Sequence, residues 1–154
     1  MRQKLVKESS MPTEIEFIYR ALQGKSIARP LFSTRVPAGF PSPSESYIEG
    51  RIDLNKELLR PPLATFYVRV SGDSMIGVGI HPNSLLVVDR AEEARDGHVV
   101  IARLGDELCV KRLSFGDNGE ILLISENDRY PAIRVKPEDD FEVWGRVLYS
   151  IHTL

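Results

Sequence analysis

The feature that most constrains this chain is a run of short, alternating apolar segments that begins at Thr65 and continues almost to the last residue. TFYVRV (65–70), SLLVVD (84–89), HVVIAR (98–103), ELCVKRL (107–113), GEILLIS (119–125), AIRV (132–135) and FEVWGRVLYSI (141–151) are rich in β-branched and aromatic residues. Turn formers such as Gly105–Asp106 and Asp117–Asn118–Gly119 separate them. Short strands with almost no helical period between them can bury their apolar faces only against one another. The expected fold is therefore mostly β, a barrel or sandwich.

The residues before Thr65 read differently. Thr13 and Glu16 have the spacing of a capping box, in which each side chain satisfies a free backbone N–H at a helix start. Ile15, Ile18, Tyr19 and Leu22 then share one helical face, and Gly24 is placed to end the turn. The spacing predicts a short helix over 13–23, against a competing strand that would show Ile15, Phe17 and Tyr19 on one face. Residues 30–44 carry Pro30, Pro37, Pro41 and Pro43 with little periodicity, which makes a stiff, extended, exposed segment. Composition alone would make it a linker. A second short helix is expected around 53–60, stopped by Pro61 and Pro62. The expected organisation is an N-terminal arm over 1–44, with its helix, and one domain over 45–154.

Composition serves mainly to exclude. The formal net charge of −2 gives no global sign of a nucleic-acid binder, and no sequence-specific DNA binding is expected. A lone cysteine, Cys109, allows no intramolecular disulfide, which suits a reducing cytosol. No apolar run reaches the ~18 residues of a membrane span, and no signal peptide is evident, so a cytoplasmic protein without membrane partners is expected. His81, His98 and His152 lie far apart in sequence, and none has a metal-ligand spacing with Cys109, so no metal or cofactor is expected.

Two places carry chemistry. SGDSMI (71–76) follows the strand at 65–70 directly, with Gly72 in a tight polar turn. Such a turn presents a serine hydroxyl at a strand end with backbone N–H groups near it, although alone it does not single out Ser74. Lys111 lies in an otherwise apolar strand pattern, on the face shared by Cys109 and Leu113 and opposite to Arg112. A lysine aimed into an apolar face loses charge readily, and the neutral amine can take a proton from a serine. A strand edge from which Lys111 snorkels to water is the alternative.

SGDSMI, DGHVVIA (96–102), ELCVKRL and the last strand with Trp144–Gly145 together resemble the LexA/UmuD family of self-cleaving serine peptidases. LFS (31–33), GFPSP (39–43) and YIEGRIDLN (47–55) extend the likeness, in order, from about Pro30 to Ile151. The resemblance implies Ser74 as nucleophile, Lys111 as general base and the Ala38–Gly39 bond as the chain's own cleavage site. It also implies an oxyanion held by the backbone N–H groups of Ser74 and Met75. Ala38 and Gly39 have minimal side chains, and Pro37 and Pro41 hold the segment extended, so the linker reads as a tethered substrate. The family further implies a homodimer, stimulation by a RecA filament on single-stranded DNA, and a truncated product that serves an error-prone, UmuC-like polymerase subunit in the SOS response. Two alternatives stand beside this reading. One is a LexA-like or phage-type repressor fragment lacking its DNA-binding domain, and the other a non-enzymatic binding module of the same fold.

Overall fold

The structure is a computed structural model that describes residues 13–20, 25, 26, 28–32, 48–59 and 64–154. Among these, β1 (Glu14–Arg20), β2 (Arg29–Phe32), β3 (Ile48–Ile52), β4 (Thr65–Ser71) and β5 (Leu85–Asp89) form the first half of the strand set. β6 (Val99–Leu104), β7 (Glu107–Phe115), β8 (Ile121–Ile124), β9 (Ile133–Val135) and β10 (Phe141–Ile151) complete it. The large sheet has the order β1-β4-β5-β10-β6-β7-β8-β9, and a pairing of β1 with β7 closes its first six strands into a barrel. β8 and β9 continue outward from β7, and β2 and β3 form a separate two-stranded ribbon.

All seven strands expected after Thr65 are present, and the mostly-β fold is borne out. Inward residues of neighbouring strands meet in the interior, where Val68, Val70, Met75, Ile80, Leu86, Val88, Ile101 and Val110 form one buried cluster. Val100, Ala102, Leu113 and Leu123 form a second. Each of the Val, Leu, Ile and Met side chains so removed from water contributes about 1.5–3 kcal/mol, so these clusters hold the barrel wall. Gly145 permits a close approach: a Cβ there would lie 2.7 Å from Val88 Cγ1. The short helix expected near 53–60 is also present, as α1 (Leu54–Leu58), with the Asp53 side chain accepting from the Asn55 N–H at its start.

The helix expected over 13–23 is not formed. Residues 14–20 are β1, antiparallel to β4. Ile15, Phe17, Ile18 and Tyr19 favour an extended chain, and β4 offers an edge of unpaired backbone groups that a solvent-facing helix of this length could not match. A β-bulge between Ile15 and Phe17 breaks the strand alternation. That bulge is why the apolar residues looked helical in spacing. Thr13 caps nothing: it is buried against the barrel.

Candidate active site

β4 ends at Ser71, and Gly72, at φ 76°, turns the chain so that Ser74 points back into the barrel. The turn is fastened from the far side by the loop that follows β8. The Asn127 Nδ2 donates to the Asp73 carbonyl at 3.0 Å, and the Tyr130 hydroxyl donates to Asp73 Oδ1 at 2.6 Å. The Gly77 N–H donates to the Glu126 carbonyl at 2.8 Å, and a Cβ on Gly77 would come within 2.6 Å of that same oxygen. Only glycine admits this approach. Met75 is fully buried and anchors the turn to the core.

Lys111 comes from the middle of β7, opposite Val100 of β6. It is 4% exposed, and its Nζ lies 3.2 Å from the Oγ of Ser74, which is 0% exposed. Burial pushes the Lys111 amine below its ordinary value, and the neighbouring Cys109 opposes this only in part. Burial also raises the Cys109 thiol, so Cys109 stays neutral near pH 7 and contributes little countercharge there. The sequence placed Ser74 and Lys111 thirty-seven residues apart, and the barrel brings their side chains into hydrogen-bonding contact.

Two partners of this pair escaped the sequence reading. Lys111 Nζ also donates to Ser125 Oγ at 2.8 Å, which fixes one N–H of the amine and so the direction of its remaining valences. The hairpin register held the signal. Arg112 pairs with Ile124 and Leu113 with Leu123, so one further step in the same register sets Lys111 against Ser125. The Asp117–Asn118–Gly119 turn, legible in the sequence, fixes that register. The second partner is Thr13, whose backbone N–H donates to Ser74 Oγ at 3.0 Å. No pattern in the sequence marks it, because the Thr13–Glu16 spacing points to a helix cap.

Beside the dyad runs a cleft of about 760 Å³, lined in part by Ile15, Phe17, Leu108, Lys111, Ser125 and Tyr130. Ala38 and Gly39, with Pro37 and Pro41, lie outside the described residues. Among the described residues no group of three or more His, Cys, Asp or Glu side chains could hold a metal ion, and no helix is long and apolar enough to cross a membrane. A buried serine beside a buried lysine whose amine is pushed below its ordinary value has the groups that acyl transfer by nucleophilic attack needs.

Comparison with known proteins gives the family. Residues 30–148 match the Peptidase S24-like family. Protein SamA of Salmonella typhimurium (strain LT2) is 45% identical over 123 residues, 80% of this chain and 84% of the relative. Protein MucA of Escherichia coli is 37% identical over 123 residues, 79% of this chain and 83% of the relative. The LexA repressor of Delftia acidovorans is 42% identical over 113 residues, 72% of this chain but 49% of the relative. With a buried serine and lysine in contact inside a matched span of this length, the chain belongs to the Peptidase S24-like family and is a UmuD-like member of it.

Proposed function

We propose that the chain is a self-cleaving serine peptidase that cuts its own Ala38–Gly39 bond with a Ser74–Lys111 dyad. The observation that carries this reading is the 3.2 Å contact of Lys111 Nζ with Ser74 Oγ, both residues being buried. With Lys111 neutral, the Ser74 hydroxyl donates to its lone pair. As that proton moves to Nζ, Oγ attacks the Ala38 carbonyl carbon. The backbone N–H groups of Ser74 and Met75, in a turn fastened by the loop after β8, receive the oxyanion. The Lys111 ammonium then protonates the departing Gly39 nitrogen as the C–N bond breaks. Water, deprotonated by the regenerated amine, releases Ala38 as a carboxylic acid and restores Ser74.

The family reading extends to regulation and partners. The chain acts in the cytoplasm as a homodimer in the SOS response, cleaves faster when a RecA filament on single-stranded DNA engages it, and serves an error-prone, UmuC-like polymerase subunit once shortened. The relatives SamA and MucA support this reading by their similarity over most of the chain.

The test is intact mass after incubation at alkaline pH, with Ser74→Ala and Lys111→Ala in parallel. Two fragments meeting between Ala38 and Gly39, absent from both variants, are the expected result. A wild-type chain that stays whole even with RecA filaments present removes the peptidase reading. A filament that neither retains the protein nor hastens cleavage removes the regulatory one.

A further inference from the structure

Ser74 is placed for attack and closed to any substrate at the same time. Its Oγ accepts from the Thr13 N–H at 3.0 Å and lies 3.2 Å from Lys111 Nζ, and the residue has no exposed surface. A carbonyl carbon must come within about 3–3.5 Å of the nucleophile before attack. With Thr13 seated, that space is filled.

One of the groups around Ser74 must therefore move, and they are unequally held. The nucleophile turn is fastened by Asn127, Tyr130 and Glu126, and Lys111 by Ser125. Thr13 is carried by β1, of which only Ile15 packs partly against the core. Phe17 is 59% and Tyr19 52% exposed. Among the described residues, the ladder between β1 and β7 consists of the single pair Glu14↔Cys109, and both residues line the cleft. Thr13 Oγ1 is buried without a hydrogen-bond partner among the described residues, so seating this end also leaves a polar atom unsatisfied.

We infer that the leading end of β1 is a displaceable seal over Ser74, and that the cleavage segment reaches the nucleophile only after residues 13–15 lift from it. The inference rests on the Ser–Lys reading and adds to it the step that holds the resting enzyme inactive. Opening need not disturb the dyad, because the side-chain and backbone bonds that hold Lys111 and the Ser74 turn come from Ser125, Asn127, Tyr130 and Glu126. The rate of self-cleavage is then the rate of chemistry multiplied by the small fraction of molecules with the seal lifted.

The lone cysteine supplies the test. Residues directly opposite on antiparallel strands have Cα atoms roughly 4.5–5.5 Å apart, inside the range a disulfide spans. Glu14→Cys in the full chain, oxidised with copper phenanthroline, should therefore bond to Cys109 and pin the seal shut. Two readouts are followed in the oxidised and reduced forms of the same molecule. One is self-cleavage at alkaline pH, and the other is mass labelling of Ser74 by a small fluorophosphonate. Loss of both on oxidation, with recovery on reduction, is expected. Thr13→Pro, which removes the donating N–H, should label and cut about three- to tenfold faster than wild type.

An oxidised protein that cuts and labels as fast as the reduced one overturns the seal, and so does failure of the disulfide to form in the folded chain. If the reduced protein labels at Ser74 and the oxidised one does not, yet neither cuts, the seal stands and self-cleavage falls. Absence of labelling in both forms removes the seal and the Ser–Lys reading together.

Discussion

β4 has two neighbours in the barrel, and they are held by different means. On one side β5 pairs with it from Thr65↔Asp89 to Arg69↔Leu85, and Leu86, Val87 and Val88 of β5 are fully buried. On the other side β1 pairs with it over a similar length, from Glu14↔Ser71 to Arg20↔Phe66, yet most of its side chains face solvent. Backbone hydrogen bonds are thus nearly matched while apolar burial is not. A backbone hydrogen bond exchanges for water at a small net gain, whereas a buried aliphatic side chain contributes more. The barrel has one wall strand built into the core and another laid along its edge, and the laid-on strand covers the nucleophile.

Hydrogen exchange gives the widest separation between the two. Amides of β5 should exchange only through global unfolding, and those of β1 through local opening, so β1 should exchange at least ~1,000-fold faster. Equal protection would erase the comparison. Truncation sharpens it next. Leu86→Ala should cost about 2–5 kcal/mol in urea unfolding, the usual range for a fully buried leucine. Ile15→Ala should cost no more than about 1 kcal/mol, because its partly buried side chain lies on an edge that can relax. A loss at Ile15 as large as that at Leu86 would make β1 a core strand after all.

The same contrast explains what the sequence revealed and what it did not. The strands from β4 to β10 were legible because burial on one face writes an alternating pattern, and turns such as Gly105–Asp106 mark their ends. β1 was misread because little of it is buried, so no face was selected, and a bulge at Glu16 gave its apolar residues a helical spacing. Its strand state comes from the edge of β4, which lies far along the chain and leaves no trace in local propensity. The dyad shows the same division. Lys111 stood out as a charge in an apolar strand, and Ser74 as a serine in a glycine turn. Their contact, and the part of Ser125, depend on how β7 meets β4 and β8. The Ser125 position could have been found by carrying the hairpin register one step past Arg112↔Ile124.

Ser125 moves the comparison from the wall to the site. Its hydroxyl accepts from Lys111 Nζ, and an acceptor stabilises the ammonium more than the amine. Ser125→Ala should therefore move the rising limb of the cleavage rate to lower pH. Its plateau rate should fall by roughly tenfold, because the amine is no longer aimed at Ser74. Ser125→Thr should restore both if the hydroxyl is what acts. A fall in plateau with the limb unmoved would show that Ser125 merely packs.

The smallest expected effect separates what the site costs from what it does. Lys111 is buried with its amine held below the ordinary value, so between that lowered value and 10.5 the unfolded chain binds more protons than the folded one. Stability then rises with pH through that window, and below it the cost of burying a charge, or of surrendering its proton, is fully present. Lys111→Met keeps a flexible side chain of similar length and removes the charge. It should abolish cleavage, raise stability by about 1 kcal/mol near pH 7, and flatten the upward slope of stability at alkaline pH. Urea unfolding of the wild type and the variant at several pH values reads all of this. A variant that is less stable than wild type near pH 7 would mean that the Lys111 contacts with Ser74 and Ser125 outweigh its desolvation. The dyad would then hold the barrel together as firmly as β5 does, instead of being carried by it.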